Sequence, residues 1–501
     1  METVADLWHF TRDWIGWLLF AFLAVLPPLL RLLGLVVIPE QQRQRYAHSW
    51  LLLVFFFPVF GWLLYLLMGS PKLNATRRAQ QAEVDDIIAQ RVREAEQRPE
   101  LAPLLAPPLP AQYEGIIRLN EKLGGLPTFA GNHIELHADY MGAVKRIAER
   151  IDGAQRYVHV QFFMFAADET GSVLVEALIR AQQRGVKTRV LVDHIGNFDF
   201  NKPLVKRLSE GGVEWKYMLP FSLFRGQWNR PDLRNHRKIV VIDGEVGFTG
   251  SLNAINDNYN KPSTIKKGIY YEEVMAEVTG PLVLQLQVVF ATDWFAETGE
   301  LLEARAFPEV AGAPKAAGEM LAQVVPSGPG HETENNLKLF IALVHEARER
   351  VVIITPYFVP DMALLAAMQI AARRGVQVKL IVSGIADQFL VSRAQWSYYD
   401  ELLEAGVEIY EVEPPVILHA KNMSIDDNIV VIGSSNMDMR SFQLSLEVTT
   451  IWYSREAVAK LRPIEASYLA RSTPVDLAVW RQRPFRKRFV ENLARLFASL
   501  V

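Results

Sequence analysis

Beyond about residue 131 the sequence runs twice through the same order of elements, and this repetition constrains the fold of the 501-residue chain more than any other feature. The first pass has a strand-like stretch over Arg156–Phe165, an amphipathic helix over about Ser172–Gln183, a turn at Arg184, Gly185 and Val186, and a strand over Lys187–Asp193. The second pass repeats this with Arg350–Val359, a helix over about Asp361–Arg373, a turn at Arg374, Gly375 and Val376, and a strand over Gln377–Val382. A further helix ends in Gly212 and Val213 in one half, and in Gly406 and Val407 in the other. Strands alternating with helices build mostly parallel sheets covered on both faces. The predicted fold class is therefore α/β, with two halves, 131–315 and 316–501, packed as a pseudo-dimer.

A second pattern is superimposed on the repeat. The first half carries His236, Lys238, Asp243, Gly250, Ser251 and Asn253; the second carries His419, Lys421, Asp426, Gly433, Ser434 and Asn436, at identical spacing. One His-x-Lys alone carries almost no information, but two complete copies in matching contexts do. On a strand, residues two apart share a face, so each His lies beside its Lys. Asp243 and Asp426 belong to the same candidate catalytic motifs. Their opposite parity, at a strand end before a turn, makes them structural members, not proton carriers. Glycine allows close backbone approach, and an Asn amide can donate to a phosphoryl oxygen, so Asn253, Asn436, Ser251 and Ser434 are the candidate substrate-binding set.

Two Lys and two Asn around one point would neutralise a phosphodiester with no metal and no cofactor. Of two histidines, one must be neutral to attack phosphorus, and the other protonated to supply the leaving alkoxide. A carboxylate on the far nitrogen would orient each ring. Glu273 and Glu447, on strand-like stretches after the motifs, are the candidates, with Glu272 and Glu277 competing for the first position.

The chain has no Cys, which removes disulfides and thiolate metal sites, and its net charge of −3 promises no broad basic surface for nucleic acid. Its first 70 residues stand apart. Trp14–Leu30 is charge-free, the apolar pattern resumes after Arg31 to Ile38, and Trp50–Met68 is a second run without charge. These runs predict an N-terminal transmembrane helical hairpin, with Pro27, Pro28 and Arg31 as irregularities in its first arm. Lys72, Arg77, Arg78, Arg91 and Arg93 follow the hairpin, against Arg43 and Arg45 in its turn, so the large domain is predicted on the cytosolic side. Residues 71–130, with Pro103, Pro107, Pro108 and Pro110, read as linker.

These residues resemble the phospholipase D superfamily, marked by the doubled His-x-Lys-x4-Asp motif with its Gly-Ser-x-Asn extension. The hydrophobic pair, the stretch ending at Asn132, Ile354–Asp361 and Gly433–Phe442 are similar to its bacterial cardiolipin synthase branch. The resemblance implies an inner-membrane phosphatidyltransferase that converts two phosphatidylglycerol molecules into cardiolipin and glycerol through a phosphohistidine. It also implies that His236 is the nucleophile and His419 the general acid; the sequence itself does not order the two. The chain departs from the pattern at Tyr271, Glu272 and Glu273, where Trp, Arg and Asp are commoner. A hydrolase releasing phosphatidic acid is the rival reading, followed by a membrane-bound nuclease and an inactive scaffold. No protein partner is identified.

Two further segments invite interpretation. Tyr217–Asn235 is rich in aromatic and basic residues, and reads equally as a lipid-facing lid or a packed surface loop. Arg481, Arg483, Arg486, Lys487 and Arg488, followed by Phe489, Leu493, Leu496, Phe497 and Leu500, form a basic amphipathic helix. It docks either on anionic lipid or on the domain, the second being preferred.

Overall fold

The computed structural model describes residues 24–40, 44–69, 73, 75–97, 107–220, 230, 232–302, 318–331, 334–385 and 387–497. Most of the segment between Tyr217 and Asn235, and the start of the first hydrophobic run, lie outside these residues. The chain divides into two compact units: Met1–Lys72 with Leu496–Val501, and Leu73–Arg495.

In the small unit, residues 24–40 are helical. The run Trp50–Met68 is not one helix but parts of two, Gln44–Phe56 and Pro58–Met68. Pro58 has no N–H to continue the ladder, and the chain turns at Phe57 (φ −130°, ψ 69°). The second helix folds back on the first: the rings of Trp50 and Tyr65 meet at 5.4 Å. A straight helix would hold residues so spaced about 22 Å apart. Gly61 permits the approach, because a Cβ there would collide with the backbone of Leu53 and Val54. Among the described residues, no helix is long and apolar enough to cross a membrane. Even so, much of this unit's apolar surface faces outward, with Leu32 63%, Val36 67%, Phe56 65% and Leu66 74% exposed. Arg31, inside the first run, donates from Nε to the Phe55 carbonyl (2.9 Å).

The large unit is built on one continuous sheet. From one edge, the first half contributes Glu214–Met218, Lys187–Asp193, Tyr157–Phe162, Ile239–Ile242, Val246–Gly250, Met275–Thr279 and Phe129–His137. The second half runs in the same order: Glu408–Val412, Gln377–Ser383, Arg350–Ile354, Asn422–Ile425, Ile429–Gly433, Ser445–Tyr453 and Met320–Ser327, with Ser472–Pro474 added at its edge. The halves join where Phe129–His137 pairs antiparallel with Met320–Ser327. In each half the first three strands are parallel and the rest antiparallel, so the sheets are mixed where mostly parallel ones were predicted. The cause is local. The motif strand and its successor form a hairpin, and a hairpin can only be antiparallel.

The two motif aspartates make these hairpins. Asp243 (φ 55°) and Asp426 (φ 49°) occupy the left-handed region in the turn. The Asp243 carboxylate accepts from the backbone N–H groups of Gln155 (2.7 Å), Arg156 (2.7 Å) and Tyr157 (2.8 Å). Asp426 accepts likewise from Glu349 and Arg350, each at 2.8 Å. Each aspartate thus ties its turn to the start of the neighbouring strand, the structural part that parity indicated.

Candidate active site

Each histidine ends a short strand that crosses to the other half. Arg234–Asn235 pairs parallel with Ser445 and Leu446, and His236 N–H continues the ladder to the Leu446 carbonyl (2.8 Å). Val416–Leu418 pairs parallel with Tyr270–Glu272, and His419 N–H donates to the Glu272 carbonyl (2.9 Å). The backbone therefore delivers each imidazole to the strand that carries the other half's glutamate.

The side chains complete the exchange. His236 Nδ1 lies 3.1 Å from both oxygens of Glu447 and 3.0 Å from the Ser434 carbonyl. His419 Nδ1 lies 2.6 Å from Glu273 Oε1. Both glutamates are fully buried, and each imidazole is thus held at Nδ1 by a carboxylate of the opposite half. Such a partner fixes the tautomer and leaves Nε2 for chemistry. Glu272 and Glu277 are occupied elsewhere: Glu272 pairs bidentately with Arg471 (2.7 and 2.8 Å), and Glu277 with His137, Arg146 and Arg150.

Lys238 and Lys421 are buried beside the rings, and each ammonium donates back to the carbonyl of its own histidine. Burial pushes Lys238 down to about 7 and Lys421 to about 8, with Glu447 and Glu273 opposing the effect. Burial also pushes His236 down to about 4, against the pull of Glu447, so the ring is neutral near pH 7. His419 is lowered as well, again by burial first. For Glu273 burial acts upward, but His419 and Lys421 outweigh it and hold the carboxyl low.

A lysine must be protonated to meet a phosphate, so these values carry a pH expectation. The parameter kcat/KM, which reports the free enzyme, should fall with rising pH, first as His419, lowered from the ordinary histidine value, loses the proton it must supply, and then as Lys238 and Lys421 lose theirs between about pH 7 and 8. A bound phosphodiester anion favours the protonated amines, so the limb in kcat should lie at higher pH. Profiles of both parameters check this. Coincident limbs, or none below about pH 10, near the ordinary lysine value, would contradict it.

The remaining motif residues support the machinery from behind. Ser434 Oγ donates to Glu447 and accepts from Val448 N–H (3.0 Å), and Ser251 Oγ accepts from Val274 N–H (2.9 Å). These serine hydroxyls, expected on substrate, are engaged with the glutamate-bearing strands. The motif glycines serve the same strands: a Cβ on Gly250 or Gly433 would strike the carbonyl of Val274 or Val448. Asn253 donates through Nδ2 to Tyr259 Oη (2.9 Å), while Asn436 Oδ1 is buried without a protein hydrogen-bond partner.

Two residues escaped the sequence reading. Tyr259 donates to Glu273 Oε1 (2.5 Å) and lies 3.4 Å from His419 Nδ1; six residues past Asn436 the second half has Phe442, so the hydroxyl has no counterpart there. Arg237, between His236 and Lys238, is buried. It pairs with Asp293 (2.7 Å) and donates from Nε to the Glu447 carbonyl (3.0 Å), bracing the strand that orients His236. Flanked by His236 and Lys238 and placed before the apolar strand Ile239–Ile242, it carries no local signal of burial. Among the described residues, no group of three or more His, Asp and Glu side chains is placed to hold a metal.

Comparison with known proteins follows the same division of the chain. The family described as "Cardiolipin synthase, PLD-like domain" matches residues 147–294 and 340–464, and "Phospholipase_D-nuclease N-terminal" matches 33–70. The cardiolipin synthase of Geobacillus thermodenitrificans is 32% identical over 506 aligned residues, covering 99% of this chain and 97% of its own. That of Alkalihalophilus pseudofirmus is 31% identical over 94% of this chain and 92% of its own, and cardiolipin synthase A of Proteus mirabilis 32% over 90% and 92%. Among solved structures, phosphatidylserine synthase of Haemophilus influenzae shares the fold, with a TM-score of 0.56 at 16% identity, over 76% of this chain and 97% of that one.

Proposed function

We propose a function from one premise: the chain belongs to the cardiolipin synthase family, whose PLD-like domain its two halves match. The enzyme is a phosphatidyltransferase that joins two phosphatidylglycerol molecules into cardiolipin and releases glycerol. His236 Nε2 attacks phosphorus, the bond to the glycerol oxygen breaks, and His419 gives its proton to that oxygen. A hydroxyl of a second phosphatidylglycerol then returns a proton to His419 and attacks the phosphohistidine, and the P–N bond breaks. Lys238 and Lys421 meet the charge of the phosphoryl oxygens. The observation that carries this reading is the reciprocal pairing of each imidazole with a buried carboxylate of the other half. Catalysis by a single site of this kind needs both halves.

The segment up to Lys72 anchors the enzyme in the bacterial cytoplasmic membrane. Its outward-facing apolar residues support this, because so much exposed apolar surface is unstable in water. In the finer reading, Trp14–Ile38 and the folded-back pair Gln44–Phe56 and Pro58–Met68 insert together in the membrane, and the excess of Arg and Lys after them keeps the catalytic unit cytosolic. The first half spans 131–315 and the second 316–501.

Acyl-labelled phosphatidylglycerol supplied to the detergent-purified full chain tests the activity. Labelled cardiolipin together with free glycerol is the expected result. Phosphatidic acid alone would make the protein a hydrolase.

A further inference from the structure

The helix Phe485–Leu496, which belongs to the large unit up to Arg495, sits there the opposite way round from an ordinary amphipathic helix. Its buried residues are Glu491 and Ala494, 2% and 3% exposed. Glu491 is held by Arg483 (2.7 Å), and Arg495 reaches Glu401 while its guanidinium lies 4.2 Å from the Tyr398 ring. The helix is thus fixed by charge and aromatic contact along one side. At about 3.6 residues per turn, Phe485, Phe489, Leu493 and Leu496 form one stripe on the other side. They face outward, at 72%, 55%, 44% and 52% exposed. Arg486, Lys487 and Arg488 in its first turns are exposed too. The preferred sequence reading, docking on the domain, is met by the wrong face: among the described residues, the apolar stripe stays exposed.

We infer that this helix is an interfacial element, whose Phe485, Phe489 and Leu493 enter the headgroup region of an anionic phospholipid surface while Arg486 and Arg488, on the two flanks of the stripe, meet lipid phosphates. The pattern is the one that favours lipid over a protein partner. Large apolar side chains supply burial, and long cationic side chains can extend from the apolar level to the headgroups. Basic residues beside such a stripe select anionic lipid. The polar contacts that hold the helix to the unit keep its orientation fixed before lipid arrives.

The absence of cysteine from the chain makes a direct test possible. Single-cysteine variants Phe489→Cys and Leu493→Cys of the full chain, and Glu245→Cys on an exposed turn of the first half as control, carry a fluorophore. Each is reconstituted in vesicles of phosphatidylcholine alone, or of phosphatidylcholine with phosphatidylglycerol, containing brominated acyl chains as quencher. Quenching at 489 and 493 several-fold above that at 245, strengthened by phosphatidylglycerol and reduced by the double Arg486→Glu, Arg488→Glu variant, is expected. Equal quenching at all three positions would overturn the inference, as would insensitivity to anionic lipid. Fluorophore self-quenching at 493 that grows with protein density, without bromolipid quenching, would assign the stripe to a second copy of the chain. The readout is depth and not turnover, so a failure here leaves the catalytic proposal standing, and a failure of that proposal leaves this one.

Discussion

Replacing His236 or His419 by alanine is expected to lower the rate of cardiolipin formation at least about 10⁴-fold, whichever of the two is removed. Groups that act as one unit lose nearly the whole rate enhancement when any member is deleted, so the double variant should be scarcely slower than either single one. The two imidazoles meet that condition. Each lies on a strand paired with the opposite half, and the charge of each motif's lysine bears on the other motif's histidine. Additive losses, with each single variant keeping about half the activity, would mean two independent sites. Assay of the purified variants on labelled phosphatidylglycerol distinguishes these outcomes, with thermal unfolding in detergent as the control for folding.

The second large effect concerns the carboxylates. Glu447→Gln and Glu273→Gln keep the shape of the side chain and an amide oxygen acceptor, but remove the negative charge that stabilises the imidazolium and holds its tautomer. An analogous loss in a Ser-His-Asp triad costs about 10⁴ in kcat, and a decrease of about 10²–10⁴ is expected here, in kcat more than in KM. The effects should not be interchangeable. Glu447→Gln changes the His236 environment, so it should slow formation of the covalent intermediate. Glu273→Gln acts on His419, whose proton is needed in both half-reactions, and so should slow both. Tyr259 already donates to Glu273, and retains that hydrogen bond with the amide oxygen of Gln. A pre-steady-state comparison of glycerol release and cardiolipin formation separates the two variants. Equal effects on both steps in both variants would contradict the assignment of each glutamate to the histidine of the other half.

Much of this was legible in the sequence because the constraint was written twice. The parity of His236 with Lys238, and the opposite parity of Asp243, match a structure in which the lysine lies back on its histidine and the aspartate closes a turn. Glu273 and Glu447 were identifiable as carboxylates on apolar strands following each motif. Which glutamate serves which histidine was not readable, because it depends on two short parallel pairings between halves, and no local pattern encodes a partner hundreds of residues away. Ser251 and Ser434 were assigned to substrate for a related reason: spacing shows that a residue lies near a site, not whether it faces the ligand or supports the ligand's neighbour. The run Trp50–Met68 has the composition of a single span, yet Pro58 and Gly61 together let it fold back, one by breaking the ladder and the other by admitting close backbone contact. For Phe485–Leu496 the periodicity was plain. Its orientation was not, because the buried contacts come from Glu491 and Arg495, residues that composition assigns to the surface.

The central claim is that one site, assembled from both halves, carries the phosphatidyl group on His236. Its most direct test is to mix the wild-type full chain with acyl-labelled phosphatidylglycerol, quench within the first turnover, and map the label by peptide. The expected result is an acid-labile label on His236, absent from His236→Ala and chased into cardiolipin by unlabelled phosphatidylglycerol. Label on His419 would reverse the two roles, and turnover with no covalently labelled enzyme would contradict the phosphohistidine mechanism itself.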